Sequence, residues 1–162
     1  MKALAEQRKA SEVPSESGCV YDDLKERVYA PGAATTRIGS AIFANKPGDG
    51  SAREQAASCQ RVLGGAANFA CEYATKRYRS NCINWGMLPF TYPDDNINLE
   101  VGEYVYLPGI RKAVEDGATR FEATIIGKDG STRTMELQLN GVTEAEKKVL
   151  LAGSLINSYT AE

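Results

Sequence analysis

Apolar and polar positions alternate over short periods in this chain, and glycine- or proline-rich breaks separate one period from the next. Ile38-Gly39-Ser40-Ala41-Ile42-Phe43-Ala44 is a short apolar run that predicts a buried strand. Asn45-Lys46-Pro47-Gly48-Asp49-Gly50 can only turn. Ser51-Ala52-Arg53-Glu54 then predicts a helix start, with Ser51 as N-cap and Glu54 closing a capping box. Ala56, Cys59, Val62 and Leu63 recur at helical spacing and mark its apolar face, and Gly64-Gly65 ends it. Ala67, Phe69 and Cys71 alternate with Asn68, Ala70 and Glu72, which predicts a strand. Ala74, Tyr78, Cys82 and Trp85 share one face of a second helix stopped by Gly86, and Gly86-Met87-Leu88-Pro89 reads as a turn.

Residues 38–86 therefore read as a β-α-β unit with a further helix, and the glycine loop lies at the carboxyl end of the first strand. The second half is mostly β. Tyr104–Leu107 is one strand. Phe121–Ile125 and Met135–Leu139 alternate cleanly around the turn signal Lys128-Asp129-Gly130. Thr143-Glu144-Ala145-Glu146 is another capping box, opening a helix that runs to Gly153. Residues 1–38 show little apolar patterning and read as a lead-in linker or surface strap, with short helical stretches at 2–11 and 22–29. The structured domain is expected over 39–162.

Composition narrows the chemistry. The chain has 162 residues and no histidine, which excludes Ser-His-Asp and Cys-His nucleophile systems and His-ligated metals. Its four cysteines, at 19, 59, 71 and 82, have no metal-binding or C-x-x-C spacing. Without a secretory signal they read as reduced thiols of a cytoplasmic protein. No apolar run approaches the ~20 residues of a membrane helix. The net charge of −2 gives no general case for nucleic acid. The charge is uneven, however: residues 1–90 carry 12 basic and 9 acidic side chains, and residues 91–162 carry 7 and 12.

The most informative stretch is Lys46-Pro47-Gly48-Asp49-Gly50-Ser51-Ala52-Arg53. Gly48 and Gly50 allow close backbone approach, and a helix N-terminus offers unpaired N–H groups. Ser51 adds a hydroxyl, Arg53 a fork that matches a carboxylate or phosphate, and Lys46 a further charge. The pattern is neither a P-loop nor G-x-G-x-x-G. Two readings stay open on the residues alone: an anion site, or a local turn with a capping serine and a solvated arginine. Lys76-Arg77-Tyr78-Arg79 is a basic run that suits a solvated helix face better than an RNA contact.

Gly48-Asp49-Gly50-Ser51-Ala52-Arg53-Glu54-Gln55-Ala56-Ala57 resembles the Gly-x-Gly-Ser-Ser-Arg-Glu-His-Ala motif of the aconitase family. Arg79–Pro89 is similar to that family's Asn-Leu-x-x-x-Gly-x-Leu-Pro segment, Val101-Gly102-Glu103 to a strand entry, and Ala152–Asn157 to its C-terminal ending. The resemblance implies an α/β fold: the swivelling β/β/α C-terminal domain, with a mixed, barrel-like sheet and flanking helices. It implies a domain of a [4Fe-4S]-dependent hydratase, or hydro-lyase, acting on a hydroxy polycarboxylic acid. The cluster would lie on N-terminal domains or a large subunit of the same enzyme, and none would be bound by this chain alone. An excised C-terminal domain fits better than a complete small subunit, because the segment that opens the family's small subunits is not evident. In the family motif the first Ser and the Arg bind a substrate carboxylate, and these fall on Ser51 and Arg53, with Gly50 and Lys46 beside them. The second Ser is the base, and that position is Ala52; the usual His is Gln55. The alternative implied by Ala52 is a catalytically degenerate binding or regulatory module of the same fold, contacting RNA through the basic run.

Overall fold

The computed structural model describes residues 38–93 and 98–160. The expected lead-in, apart from Ile38, and its short helices lie outside the described residues. Among the described residues eleven elements follow in order: β1 (Ser40–Ala44), α1 (Arg53–Val62), β2 (Gly65–Ala70), α2 (Lys76–Asn84), β3 (Leu88–Thr91), β4 (Tyr104–Tyr106), α3 (Ile110–Glu115), β5 (Arg120–Ile126), β6 (Thr132–Gln138), α4 (Glu144–Ala152) and α5 (Leu155–Thr160). The strands form one mixed sheet in the order β1-β2-β3-β6-β5-β4. A mixed sheet with flanking helices is the α/β architecture that the resemblance led one to expect.

The sheet has two halves. β1, β2 and β3 run parallel, joined by crossovers through α1 and α2. β6, β5 and β4 form an antiparallel ladder in which Phe121 faces Leu137 and Ala123 faces Met135. The halves meet at the single pair Thr91↔Gln138. That short seam accounts for β3, which the sequence reading took for a turn. Pro89 has no N–H to give a ladder and argues against a central strand. It is tolerated because it pairs in register with Asn68 of β2 while the ladder to β6 touches only Thr91.

Alternation along β2 and β3 sorts side chains between two packed layers. Phe69 and Phe90 point to the main core and stack with ring centroids 5.9 Å apart; Phe121 meets Phe90 edge-on at 5.4 Å. Burying each ring contributes roughly 1.5–3 kcal/mol, as an upper bound. On the opposite side, Ala57 of α1 packs with Tyr78 and Cys82 of α2 and with Met87.

Three further local expectations are corrected. β1 is an edge strand, and Ser40, Ala41 and Ile42 are exposed rather than buried. α1 turns Ala57 and Gln60 inward, while Cys59 is exposed and Val62 and Leu63 are 70% and 80% exposed. Gln60 wins the inward position because a buried amide partner, Asn68, awaits it. Ser51 is not the N-cap: α1 starts at Arg53, its cap is Ala52, and no side chain caps it. α3 and α5, unpredicted, extend the helical layer.

Candidate functional site

Open α/β sheets bind ligands beyond the carboxyl ends of their parallel strands. Here that edge carries two loops, residues 45–52 after β1 and residues 71–75 after β2. They are fastened to each other. Glu72 N–H donates to Asn45 O at 3.1 Å, and Ala74 N–H donates to Pro47 O at 3.0 Å. Lys46 Nζ meets Glu72 Oε1 at 2.6 Å. Thr75 caps α2 by accepting from Tyr78 N–H at 3.2 Å, and its hydroxyl donates to Gly48 O at 3.2 Å.

Gly48 sits at φ +93°, and a Cβ there would lie 2.5 Å from the Cβ, Cγ and Cδ1 of Tyr78. The glycine is thus required twice, by its left-handed backbone and by the ring beneath it. Gly50 differs: a Cβ there would meet nothing within 4 Å. Its lack of a side chain answers to no neighbour among the described residues.

The ring beneath Gly48 is held by a buried polar network. Asn68 is fully buried in the middle of β2 and donates to Tyr78 OH at 3.0 Å and to Cys82 Sγ at 3.5 Å. Its carbonyl accepts from Gln60 Nε2, which also donates to Ala67 O at 3.3 Å. Tyr78 OH donates to Gln60 Oε1 at 3.4 Å. Burial pushes the Tyr78 phenol up and the Cys82 thiol up to about 11. Both are neutral structural groups, which removes Cys82 from consideration as a nucleophile.

Above this floor lie the residues singled out in sequence. Arg53, half-buried at the start of α1, donates through Nε to Gly48 O at 3.2 Å. Its terminal amines donate to no described residue, so the fork is anchored at its base. Ser51 and Ala52 are exposed beside it. Glu54 is not bonded back to Ser51; it accepts from Trp85 Nε1 at 3.0 Å. Lys46 is committed to Glu72, whose carboxylate accepts its hydrogen bond and raises the ammonium above the usual amine range. Ser51, Gly50 and Arg53 are therefore close along one loop, and Lys46 stands at its base.

The basic run is not one continuous face. Lys76 and Arg77 are exposed and Tyr78 is buried. Arg79 donates to Asn140 O at 2.6 Å, with Glu146 3.9 Å away. Among the described residues no group of three or more His, Cys, Asp or Glu side chains could hold a metal ion. Cys59 is exposed, Cys71 half-buried and Cys82 buried.

Sequence reasoning missed Thr75, Tyr78 and Asn68 as the support of this loop. Asn68 did carry a signal, being a lone amide inside Ala67-Asn68-Phe69-Ala70. The contact between Gly48 and Tyr78 spans two crossovers and had none.

Comparison with known proteins agrees with this architecture. A family model described as the Aconitase C-terminal domain matches residues 23–95. The chain is similar to aconitate hydratase A of Rickettsia felis, at 31% identity over 121 residues, which is 72% of this chain and 14% of that protein. It is also similar to aconitate hydratase A of Rickettsia conorii, at 29% identity over 125 residues, or 74% of this chain and 14% of that protein. The chain thus spans about 14% of the length of the curated relatives it matches. No helix among the described residues is long and apolar enough to cross a membrane.

Proposed function

The chain belongs to the aconitase C-terminal domain family, and from this we propose that it is the substrate-binding swivel domain of a hydratase acting on a hydroxy polycarboxylic acid. One observation carries this reading: Arg53 is fixed through Nε to Gly48 O, and its two terminal amines are left for a ligand. A guanidinium fork presented this way matches a carboxylate with two parallel hydrogen bonds. Ser51 adds a hydroxyl donor, and Gly50 lets the backbone approach the ligand. The cluster chemistry of such a hydratase would belong to the remainder of the enzyme, as the family resemblance implies. That remainder, as N-terminal domains or a large subunit, is the proposed partner.

This chain's own residues bind and orient the acid and cover it from water. They do not take its proton at the position the family motif uses, since Ala52 ends in a methyl group. The base must come from elsewhere in the enzyme. The test is anaerobic reconstitution of the full-length enzyme with iron and sulfide, assayed against a panel of hydroxy acids. Arg53→Ala should lower kcat/KM about 10- to 100-fold, the worth of a charge-assisted bond of ~1.5–3 kcal/mol. Equal turnover by Arg53→Ala would overturn the clamp. An inactive wild type that gains turnover on Ala52→Ser would identify a binding domain that has lost its base.

A further inference from the structure

Between the 71–75 loop and the β3–β6 seam lies a cavity of about 270 Å³. Neither Ser51 nor Arg53 lines it. We propose that this cavity binds a small dianion bearing carboxylate or phosphate oxygens, as a second site separate from the Ser51–Arg53 loop.

The lining is built for such a ligand. Lys76 and Arg79 both line the cavity, one turn of α2 apart. Lys76 makes no ion pair among the described residues. Arg79 is held in place by the Asn140 carbonyl at 2.6 Å and by Glu146 at 3.9 Å, so little side-chain freedom is lost on binding. Glu146 compensates it only in part, because the two charges stand 3.9 Å apart, beyond hydrogen-bond distance. Glu72, the one carboxylate among the described lining residues, is already neutralised by Lys46 at 2.6 Å. Asn140 Nδ2 donates one hydrogen to Gln138 Oε1 at 2.9 Å and keeps a second for a ligand. Tyr73, whose hydroxyl donates to Phe90 O at 3.1 Å, presents its ring as an apolar wall. Two cations and one amide donor around a half-open cleft of this size suit two negative charges on a small molecule.

The experiment is titration of inorganic phosphate, and separately of malonate, into the isotopically labelled full chain at constant ionic strength, followed by amide NMR shifts. Saturable shifts are expected at Lys76, Arg79 and Asn140. In Lys76→Gln the dissociation constant for these shifts should rise about tenfold, as loss of one charge-assisted contact predicts. In Arg53→Gln they should persist while shifts at Gly50 and Ser51 vanish. The arm that saturates at lower concentration identifies the carboxylate or the phosphate ligand. No saturable shift with either probe would overturn the second site. Unchanged affinity in Lys76→Gln, or loss of all shifts in Arg53→Gln, would do the same.

Discussion

Replacing Gly48 with alanine isolates the feature that gives the candidate loop its shape. The added methyl would lie 2.5 Å from three atoms of Tyr78, on a backbone at φ +93°. An L-residue in that region costs about 1–2 kcal/mol, and overpacking a rigid site adds about 1–3 kcal/mol. Tyr78 cannot turn away, because it is 3% exposed and its hydroxyl is bonded to Asn68 and Gln60. The expected loss is therefore roughly 2–5 kcal/mol, or about 6–15 °C in Tm at ~3 °C per kcal/mol for a chain of this size. Gly50→Ala is the internal control, since its methyl meets nothing within 4 Å. It should change stability by less than about 0.5 kcal/mol, yet weaken ligand binding if the backbone there is approached closely. Urea denaturation of both variants decides the matter. Equal stability for Gly48→Ala and Gly50→Ala would refute the support of the loop by Tyr78.

Three further outcomes follow from the buried network and the ion pairs. Asn68→Ala strips partners from Gln60, Tyr78 and Cys82 and should cost about 2–4 kcal/mol by denaturant unfolding. The Cys82 thiol is pushed up from 9.0 to about 11 by burial, so the folded state retains its proton longer than the unfolded chain. Stability owed to it is complete below about pH 9 and falls by roughly 2–3 kcal/mol as pH rises to about 11. The difference between wild type and Cys82→Ala in urea midpoint across that range reads this contribution. Glu103 is held below the usual carboxylate range because Arg133 donates to both its oxygens at 2.7 Å. Its contribution is present above its unfolded value and disappears as pH falls through the depressed folded value, so Arg133→Gln should flatten the acid limb of a Tm–pH profile.

The two capping-box signatures show what was legible in sequence and what was not. At Thr143 the pattern is realised: its hydroxyl accepts from Glu146 N–H at 3.2 Å, and Glu146 accepts from Thr143 N–H at 2.9 Å. At Ser51 the same spacing fails, because Arg53 reaches back to Gly48 and Glu54 is taken by Trp85. Local pattern decides a cap only where no distant partner competes for the same side chains. The face of α1 failed for a related reason: Cys59, Val62 and Leu63 look outward because Gln60, beside Ala57, answers Asn68 across the layer. The hairpin of β5 and β6 and the first parallel crossover were readable because their periods are local. β3 was not, because Pro89 in a buried strand depends on a seam that only tertiary structure reveals. The loop carrying Ser51 and Arg53 was legible as glycines before a helix. What it rests on came from residues up to 30 positions away, such as Thr75 and Tyr78.

The carboxylate clamp is tested most directly by binding, which does not depend on the missing base. Tricarballylate, a tricarboxylate with no hydroxyl to eliminate, would be titrated calorimetrically into the full-length enzyme carrying either Arg53 or Arg53→Gln. A clamp formed by Arg53 and Ser51 predicts affinity reduced about 10- to 100-fold in the variant. The same affinity in both proteins would contradict it.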